Sequence, residues 1–176
     1  VDAIPGLWNL YANPLGDQAV DEMVYHTLFD LLAGREQEII AGLGHESAAV
    51  RLMCIRRAAD GGSSALKEAL VKLLASASGS ELIAEVLRAL GSYKDADLAG
   101  IVLPYLKHDD YSVVAWAMHC LKGIHDPKVR DTLIAMVSES REVRTADAGC
   151  DLRTALAVEN IAKFPDDTVA AFLIGF

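Results

Sequence analysis

A two-helix unit returns along this chain at steps of 32 and 34 residues. Each copy contains the apolar end of one helix, a short break rich in Gly or Asp, and a second apolar helix. Ile55, Leu87 and Leu121 occupy the equivalent position in three copies, and Ile161 extends the series after a longer step of 40 residues. A repeat of this length with two helices is typical of an α-solenoid, in which neighbouring units bury one another's apolar faces.

Apolar spacing and break residues divide the chain into an N-terminal arm and five helix pairs. Pro and Gly residues within 1–19 predict an irregular arm with a short helix at 7–12. The predicted pairs are 20–33 with 35–43, 47–60 with 63–76, 80–91 with 96–107, 110–123 with 127–138, and 150–163 with 167–175. Pro104 should kink or shorten the second helix of the third pair. Residues 138–149 delay the fifth pair and should form either a protruding loop or an extra helical turn.

The composition argues against nucleic acid and membrane as partners. Aromatic residues make up only 6% of the chain, which is too few for a β-sandwich or a base-stacking platform. The net charge of −9 would repel phosphate backbones. No apolar run reaches the 18 residues that a membrane-spanning helix needs. We therefore expect a protein partner.

The negative charge is concentrated at the N-terminal end. Residues 1–46 contain eight acidic residues and one basic residue, Arg35, whereas residues 47–176 contain 17 acidic and 15 basic residues. This asymmetry predicts either a solvated acidic face or a contact surface for a basic partner. Glu22, Glu36 and Glu38 are the acidic residues that we expect to matter if a basic partner binds.

The three cysteines lack the spacing of a metal site. Cys54 and Cys120 fall on apolar helix faces, which predicts buried thiols in a reducing compartment and hence a cytoplasmic protein. The first residues lack the basic start and apolar run of a signal peptide. Because the first residue is not Met, we expect a trimmed chain or a segment of a longer protein.

Three motifs connect the repeat to a known family. They are Gly44-His-Glu-Ser-Ala-Ala-Val-Arg and Lys107-His-Asp-Asp-Tyr-Ser-Val-Val at the openings of two units, and Leu121-Lys-Gly-Ile-His-Asp-Pro-Lys-Val at the break within a unit. Over residues 20–176 the chain resembles the HEAT-like repeat family, in the short bacterial form also found in phycobilisome lyases. The resemblance implies an all-α, right-handed solenoid of about five antiparallel helix pairs.

Pairs of histidine and carboxylate residues raise the possibility of a metal site. They are His45-Glu46, His108-Asp109 and His125-Asp126. Deoxyhypusine hydroxylases, a HEAT-like family of iron enzymes, place similar pairs in adjacent units. Here His45 and His108 stand two units apart, or about 20 Å at the usual helix spacing, which is too far for one metal ion. We therefore expect no metal, no cofactor and no catalytic residue.

The resemblance favours a non-catalytic scaffold that binds a protein partner, such as a bacterial immunity or adaptor protein. The enzyme alternative is a lyase or hydroxylase of the HEAT-repeat type. In HEAT-like solenoids the second helices of the pairs line the concave face. The candidate partner-binding residues on those helices are Lys67, Lys72, Tyr105, Lys107, Lys128, Arg130 and Asp131.

Other clusters are predicted to be structural or to promote self-association. Arg51, Arg56 and Arg57 should form a salt-bridged surface or a small anion-binding patch, and Trp116 should belong to the core. The last helix contains no charge after Asp167. A terminal repeat normally turns a polar face to water, so an apolar terminal helix predicts contact with a second copy or with a partner. The residues expected at that contact are Phe172, Leu173, Ile174 and Phe176.

Overall fold

The computed structural model describes residues 3–143, 152–165 and 167–174, and in that part of the chain it contains helices and no strand. The helices are α1 (Ile4–Ala12), α2 (Gln18–Leu31), α3 (Glu36–Leu43), α4 (Ala48–Gly61), α5 (Ser64–Ser76), α6 (Ser80–Leu90), α7 (Leu98–Val102), α8 (Tyr111–Leu121), α9 (Pro127–Val143), α10 (Leu152–Ile161) and α11 (Asp167–Ile174). A 3₁₀ helix, Leu103–Lys107, follows α7 directly. The predicted all-α fold class is therefore confirmed. No helix in the described ranges is both long enough and apolar enough to cross a bilayer.

The chain forms two compact units, Val1–Tyr93 (the N-terminal unit) and Lys94–Phe176 (the C-terminal unit). In the N-terminal unit, α4 contacts α1, α3, α5 and α6, and α3 also contacts α5. In the C-terminal unit, α10 contacts α8 and α9, while α7 and the 3₁₀ helix pack on α8. The first helix of one pair thus contacts the first helix of the next pair. Helix α4 contacts α6 in this way, and α8 contacts α10. This stacking is what a two-helix repeat requires.

The N-terminal segment differs from its prediction because most of it is a regular helix. Helix α1 begins at Ile4, three residues before the predicted short helix, with Pro5 in its first turn. Ile4 is only 2% exposed, so the beginning of α1 is anchored in the core. Trp8 meets His45 edge to face with ring centroids 5.7 Å apart, and Tyr11 lies 5.8 Å from Tyr25. The aromatic residues of this segment therefore pack on α2 and on the turn before α4.

Gly42 allows α3 to approach α4 and α1 closely. A Cβ atom at this position would overlap the Sγ atom of Cys54 and would lie 3.1 Å from Cζ2 of Trp8. Cys54 itself is fully buried. Any side chain at position 42 would therefore push apart the helices at the centre of the N-terminal unit.

Side chains from the turn after α6 form hydrogen bonds with backbone carbonyl groups at the end of α4. The Tyr93 hydroxyl donates a hydrogen bond to the Ala58 carbonyl oxygen at 2.6 Å, and the Ser92 hydroxyl lies 2.8 Å from the Ala59 carbonyl oxygen. Carbonyl groups in the last turn of a helix have no partner within the helix. Tyr93 and Ser92 lie 35 and 33 positions after the residues whose carbonyl groups they meet, which is about the length of one repeat.

Local sequence signals fix most helix ends. The Ser63 hydroxyl accepts a hydrogen bond from the Leu66 backbone N–H at 3.2 Å and so caps α5. Gly62, just before it, has a φ of +65°, a conformation that favours glycine. Pro104 shortens the second helix of the third pair as expected, because α7 ends at Val102 and the chain continues as the 3₁₀ helix.

The stretch predicted to interrupt the fourth and fifth pairs begins as helix. Helix α9 does not end at residue 138 but continues to Val143. The Ser138 hydroxyl donates to the Ile134 carbonyl at 2.9 Å, and the Ser140 hydroxyl lies 2.6 Å from that of Thr154 on α10. Of the two predicted alternatives, a protruding loop or an extra helical turn, residues 138–143 form the helical turn. Residues 144–149 lie outside the described ranges.

We expect Gly42→Ala to lower the free energy of unfolding by about 1–3 kcal/mol, because the new methyl group overpacks the contact with Cys54 and Trp8. Gly6→Ala in α1 is the matched control, since a Cβ there would meet nothing within 4 Å. The control should be neutral or stabilising by up to about 1 kcal/mol. Urea unfolding followed by circular dichroism measures both. Equal effects of the two substitutions would contradict the close packing at Gly42.

The two described cysteines should be chemically inert in the native protein. Burial raises the pKa of Cys54 and of Cys120 to about 12, so both remain thiols near neutral pH. In a Cys150→Ser variant, Ellman's reagent at pH 8 should react slowly with the native chain and promptly with two thiols after denaturation. Prompt reaction of the native variant would contradict this prediction.

Candidate functional site

An open groove lies in the N-terminal unit where α1 turns into α2. We call it the α1–α2 groove; it has a volume of about 440 Å³. Its lining residues are Tyr11, Gly16, Gln18, Asp21, Glu22 and Tyr25. The groove therefore combines two phenol rings with two carboxylates.

The two carboxylates of the α1–α2 groove have different roles. The oxygens of Asp21 accept hydrogen bonds from the backbone N–H groups of Leu15 and Gly16 at 3.0 and 3.2 Å. Asp21 thus holds the loop between α1 and α2 in place. Glu22 is exposed, and its carboxylate accepts one hydrogen bond from Gln18 at 3.0 Å. Glu22 is therefore the carboxylate with capacity to bind another molecule.

An aromatic row supports the wall of this groove. Tyr25 contacts Tyr11 on one side and stacks on Phe29 at 5.8 Å with an interplanar angle of 19°. The Arg57 guanidinium lies 4.7 Å from the centre of the Phe29 ring and forms an ion pair with Asp60 at 3.0 Å. Burial, reinforced by Tyr25 and opposed by Arg56, raises the pKa of Tyr11, so its phenol is neutral near pH 7.

The structure does not bring the three predicted acidic residues into one patch. Glu38 is half-buried and lies 3.9 Å from Arg35. Glu36 lines a separate cavity of about 120 Å³ that also contains Arg57. Burial and, to a smaller extent, the charge of Glu36 raise the pKa of Tyr93 to about 12. Only Glu22 of the three lines the α1–α2 groove.

The predicted arginine cluster is a set of structural contacts. Arg51 donates from Nη1 to the carbonyl oxygens of His45 and Glu46, both at 2.7 Å, and so fastens the opening of its repeat. Arg56 lies 3.8 Å from Glu85. With Arg57 bound to Asp60, the salt-bridged surface, rather than the anion-binding patch, describes Arg56 and Arg57, whereas Arg51 binds backbone carbonyl groups.

Two of the three histidines in the His-carboxylate pairs, His45 and His108, accept hydrogen bonds at helix openings, whereas the His125 ring packs against Phe164. His45 Nδ1 accepts the Ser47 N–H at 3.0 Å, and His108 Nδ1 accepts the Asp110 N–H at the same distance. These equivalent bonds give the same turn at two repeat openings. Within the described ranges, no group of three or more His, Cys, Asp and Glu side chains is arranged to hold a metal ion.

The predicted concave-face residues are spread over α5, α9 and the 3₁₀ helix. Lys72, Lys107, Lys128 and Asp131 are exposed, and Lys67, Tyr105 and Arg130 are half-buried. Arg130 forms an ion pair with its neighbour Asp131 at 2.7 Å, and this pair partly neutralises both charges. None of these seven residues lines the α1–α2 groove.

The last helix exposes less apolar surface than the sequence predicts. Val169 is buried and Phe172 and Leu173 are half-buried, so three of its apolar residues are covered within the chain. Ile174 is 87% exposed and fits the predicted contact. Phe176 lies outside the described residues.

A second groove lies in the C-terminal unit between α8 and α10. We call it the α8–α10 groove; it has a volume of about 230 Å³. Its lining residues are Tyr111, Ala115, Trp116, Met118, His119, Lys122, Leu156, Glu159 and Asn160. Trp116 is half-buried and borders this groove, so it is not the plain core residue that the sequence suggested.

Asn160 in the α8–α10 groove has an unpaired hydrogen-bond acceptor. The side chain is 6% exposed, and its Nδ2 donates to the Leu156 carbonyl oxygen at 2.8 Å. Its Oδ1 is buried without a hydrogen-bond partner, a condition shared in the described part of the chain only with the Trp8 indole nitrogen. Sequence reasoning missed Asn160, because an Asn within an apolar helix face carries no signal about whether its amide is satisfied.

Comparison with known proteins gives a family but no curated relative. Residues 36–117 and 68–149 each match the family model described as HEAT repeats, and no curated protein matches the chain. The two matches together cover residues 36–149, which include α4 at the centre of the N-terminal unit and α8 in the C-terminal unit. The resemblance inferred from the repeat motifs is confirmed. Since the match spans more than half of the 176 residues, the chain belongs to the HEAT-repeat family.

Proposed function

We propose that this helical-repeat scaffold binds a basic protein partner through the α1–α2 groove and catalyses no reaction. The observation that carries the proposal is the position of Glu22, an exposed carboxylate that lines the same groove as the rings of Tyr11 and Tyr25. Tyrosine rings supply contact area at little cost in side-chain entropy. A carboxylate beside them adds selectivity for a cationic side chain.

Exposed apolar side chains on the helices and loop that form the groove support a protein partner. Met23 is 66% exposed, Leu15 is 65% exposed and Leu10 is 42% exposed. They are three of the eight large hydrophobic residues found exposed in the described ranges, and all belong to α1, α2 or the loop between them. Aromatic residues and Met are enriched at protein interfaces, so this segment has the composition of a contact surface.

The sign of the charges also favours this segment for a basic partner. Residues 1–46 contain eight acidic residues against one basic residue, so their field attracts a cation during the encounter. The predicted concave-face set contains five cationic residues and one carboxylate, and it would repel the same partner. The concave face remains a candidate for a partner of opposite charge.

We expect Glu22→Gln to lower the association rate constant with the partner about two- to fivefold at low salt, because the substitution removes a charge that steers the encounter. The partner is first isolated with the tagged chain and identified by mass spectrometry. Stopped-flow measurements over a range of salt concentrations then compare wild type, Glu22→Gln and Glu68→Gln. Glu68 is an exposed acidic residue on α5, so its variant carries the same change in net charge.

Equal rates for the two variants would contradict binding at the α1–α2 groove. A photo-crosslinking residue at position 15 tests the location directly, because Leu15 is exposed and its side chain is replaceable. Cross-links from position 15 support the proposal. Cross-links found only from positions 72 and 128 would place the partner on the predicted concave face instead.

The non-catalytic part of the proposal predicts no stoichiometric iron or zinc. We expect His45→Ala and His108→Ala each to lower the free energy of unfolding by about 0.5–1.5 kcal/mol, since each loses one hydrogen bond at a helix opening. Neither substitution should change the metal content measured by elemental analysis. One or two irons per chain in the wild type, lost in His45→Ala, would overturn this part of the proposal.

A further inference from the structure

We infer that the α8–α10 groove binds the guanidinium group of an arginine side chain within a partner peptide. This groove lies in the C-terminal unit and shares no residue with the α1–α2 groove. Its volume of about 230 Å³ suits a single side chain rather than a drug-sized molecule.

The first requirement on the ligand comes from Asn160. Its Oδ1 is buried and has no hydrogen-bond donor, while its Nδ2 is already bound to the Leu156 carbonyl. A buried acceptor without a donor is costly, because it has lost its water and gained nothing in exchange. A ligand N–H group recovers that cost when the Asn160 side chain, which lines the groove, turns its oxygen toward the ligand, as side chains commonly do on binding.

The second requirement comes from the neighbouring residue, Glu159. One of its oxygens accepts a hydrogen bond from Lys122 Nζ at 2.9 Å. That hydrogen bond and the charge of Lys122 hold the pKa of Glu159 below its usual range, so the carboxylate is ionised near pH 7. An ionised carboxylate has room for about four hydrogen bonds. Glu159 can therefore accept additional donors beside Asn160.

The third requirement comes from the rings along α8. Trp116 and His119 meet edge to face with centroids 5.4 Å apart, and Tyr111 is 37% exposed at the same groove. Faces of Trp and Tyr rings attract planar cations. The groove thus presents π surfaces from one helix and hydrogen-bond acceptors from the other.

A guanidinium group satisfies all three requirements together. It is planar, stacks on aromatic rings and offers five N–H donors in a fixed fork that can reach two acceptors. An anion would meet Glu159 and leave the Asn160 oxygen without a donor. A lysine ammonium lacks the planar shape. The α-carboxylate of free arginine would also approach Glu159, which favours arginine within a peptide chain.

The experiment follows the two indole N–H signals in ¹H–¹⁵N spectra during titration with N-acetyl-arginine amide. The signals of Trp8 and Trp116 are assigned with a Trp116→Phe variant. We expect the Trp116 signal to shift to saturation while the Trp8 signal stays in place. N-acetyl-lysine amide, the neutral isostere N-acetyl-citrulline amide and free arginine should each bind about fivefold more weakly or worse. No shift at Trp116, or equal affinity for the lysine amide, overturns the inference.

Two variants test the acceptors. Asn160→Leu should weaken binding of the arginine amide about tenfold or more, since it removes an acceptor for a charged donor. Lys122→Gln should tighten binding, because Glu159 is then no longer shared with an internal cation. Lys122 is 47% exposed, so this variant should keep the fold even if Asn160→Leu does not. Weaker binding of the arginine amide by Lys122→Gln would show that Lys122 does not compete with the guanidinium for Glu159, and it would overturn the inference.

Discussion

The structure depends on the burial of apolar helix faces between neighbouring helices. The helices described here range from the five residues of α7 to the 17 residues of α9. Isolated helices of this size are marginal in water, and most of their stability in proteins comes from packing. In the N-terminal unit that packing converges on α4, which four other helices contact. Its buried residues include Val50, Met53, Cys54, Ile55 and Ala58.

The sequence predicted the features of the fold that depend on nearby residues. The helix break at Pro104 and the start of α9 at Pro127 each follow from local backbone chemistry. The length of the helix at Ile4–Ala12 was underestimated, because this helix is stabilised by burial against α2 and α4 rather than by its own residues alone. The sequence left open whether the residues after 138 form a loop or an added helical turn, since the contact of Ser140 with Thr154 on another helix is not a local signal.

The candidate sites were predictable in charge but not in geometry. Counting residues located the acidic end, yet it could not tell that Asp21 holds a loop while Glu22 stays exposed beside it. The α8–α10 groove joins side chains from two repeats, and Lys122 and Glu159 are 37 residues apart. Periodicity identifies which helix face is apolar. It does not report which polar group within that face lacks a partner.

The hydrogen bond from Tyr93 to Ala58 shows how one repeat depends on the next. Two carbonyl groups in the last turn of α4, those of Ala58 and Ala59, meet the hydroxyl groups of side chains that follow the first helix of the succeeding pair. A repeat of this kind is therefore an incomplete folding unit when cut out of the array. An array built in this way gains stability from a new member only if the turn after its first helix supplies hydroxyl groups to the helix before it, or if water reaches the same carbonyl groups.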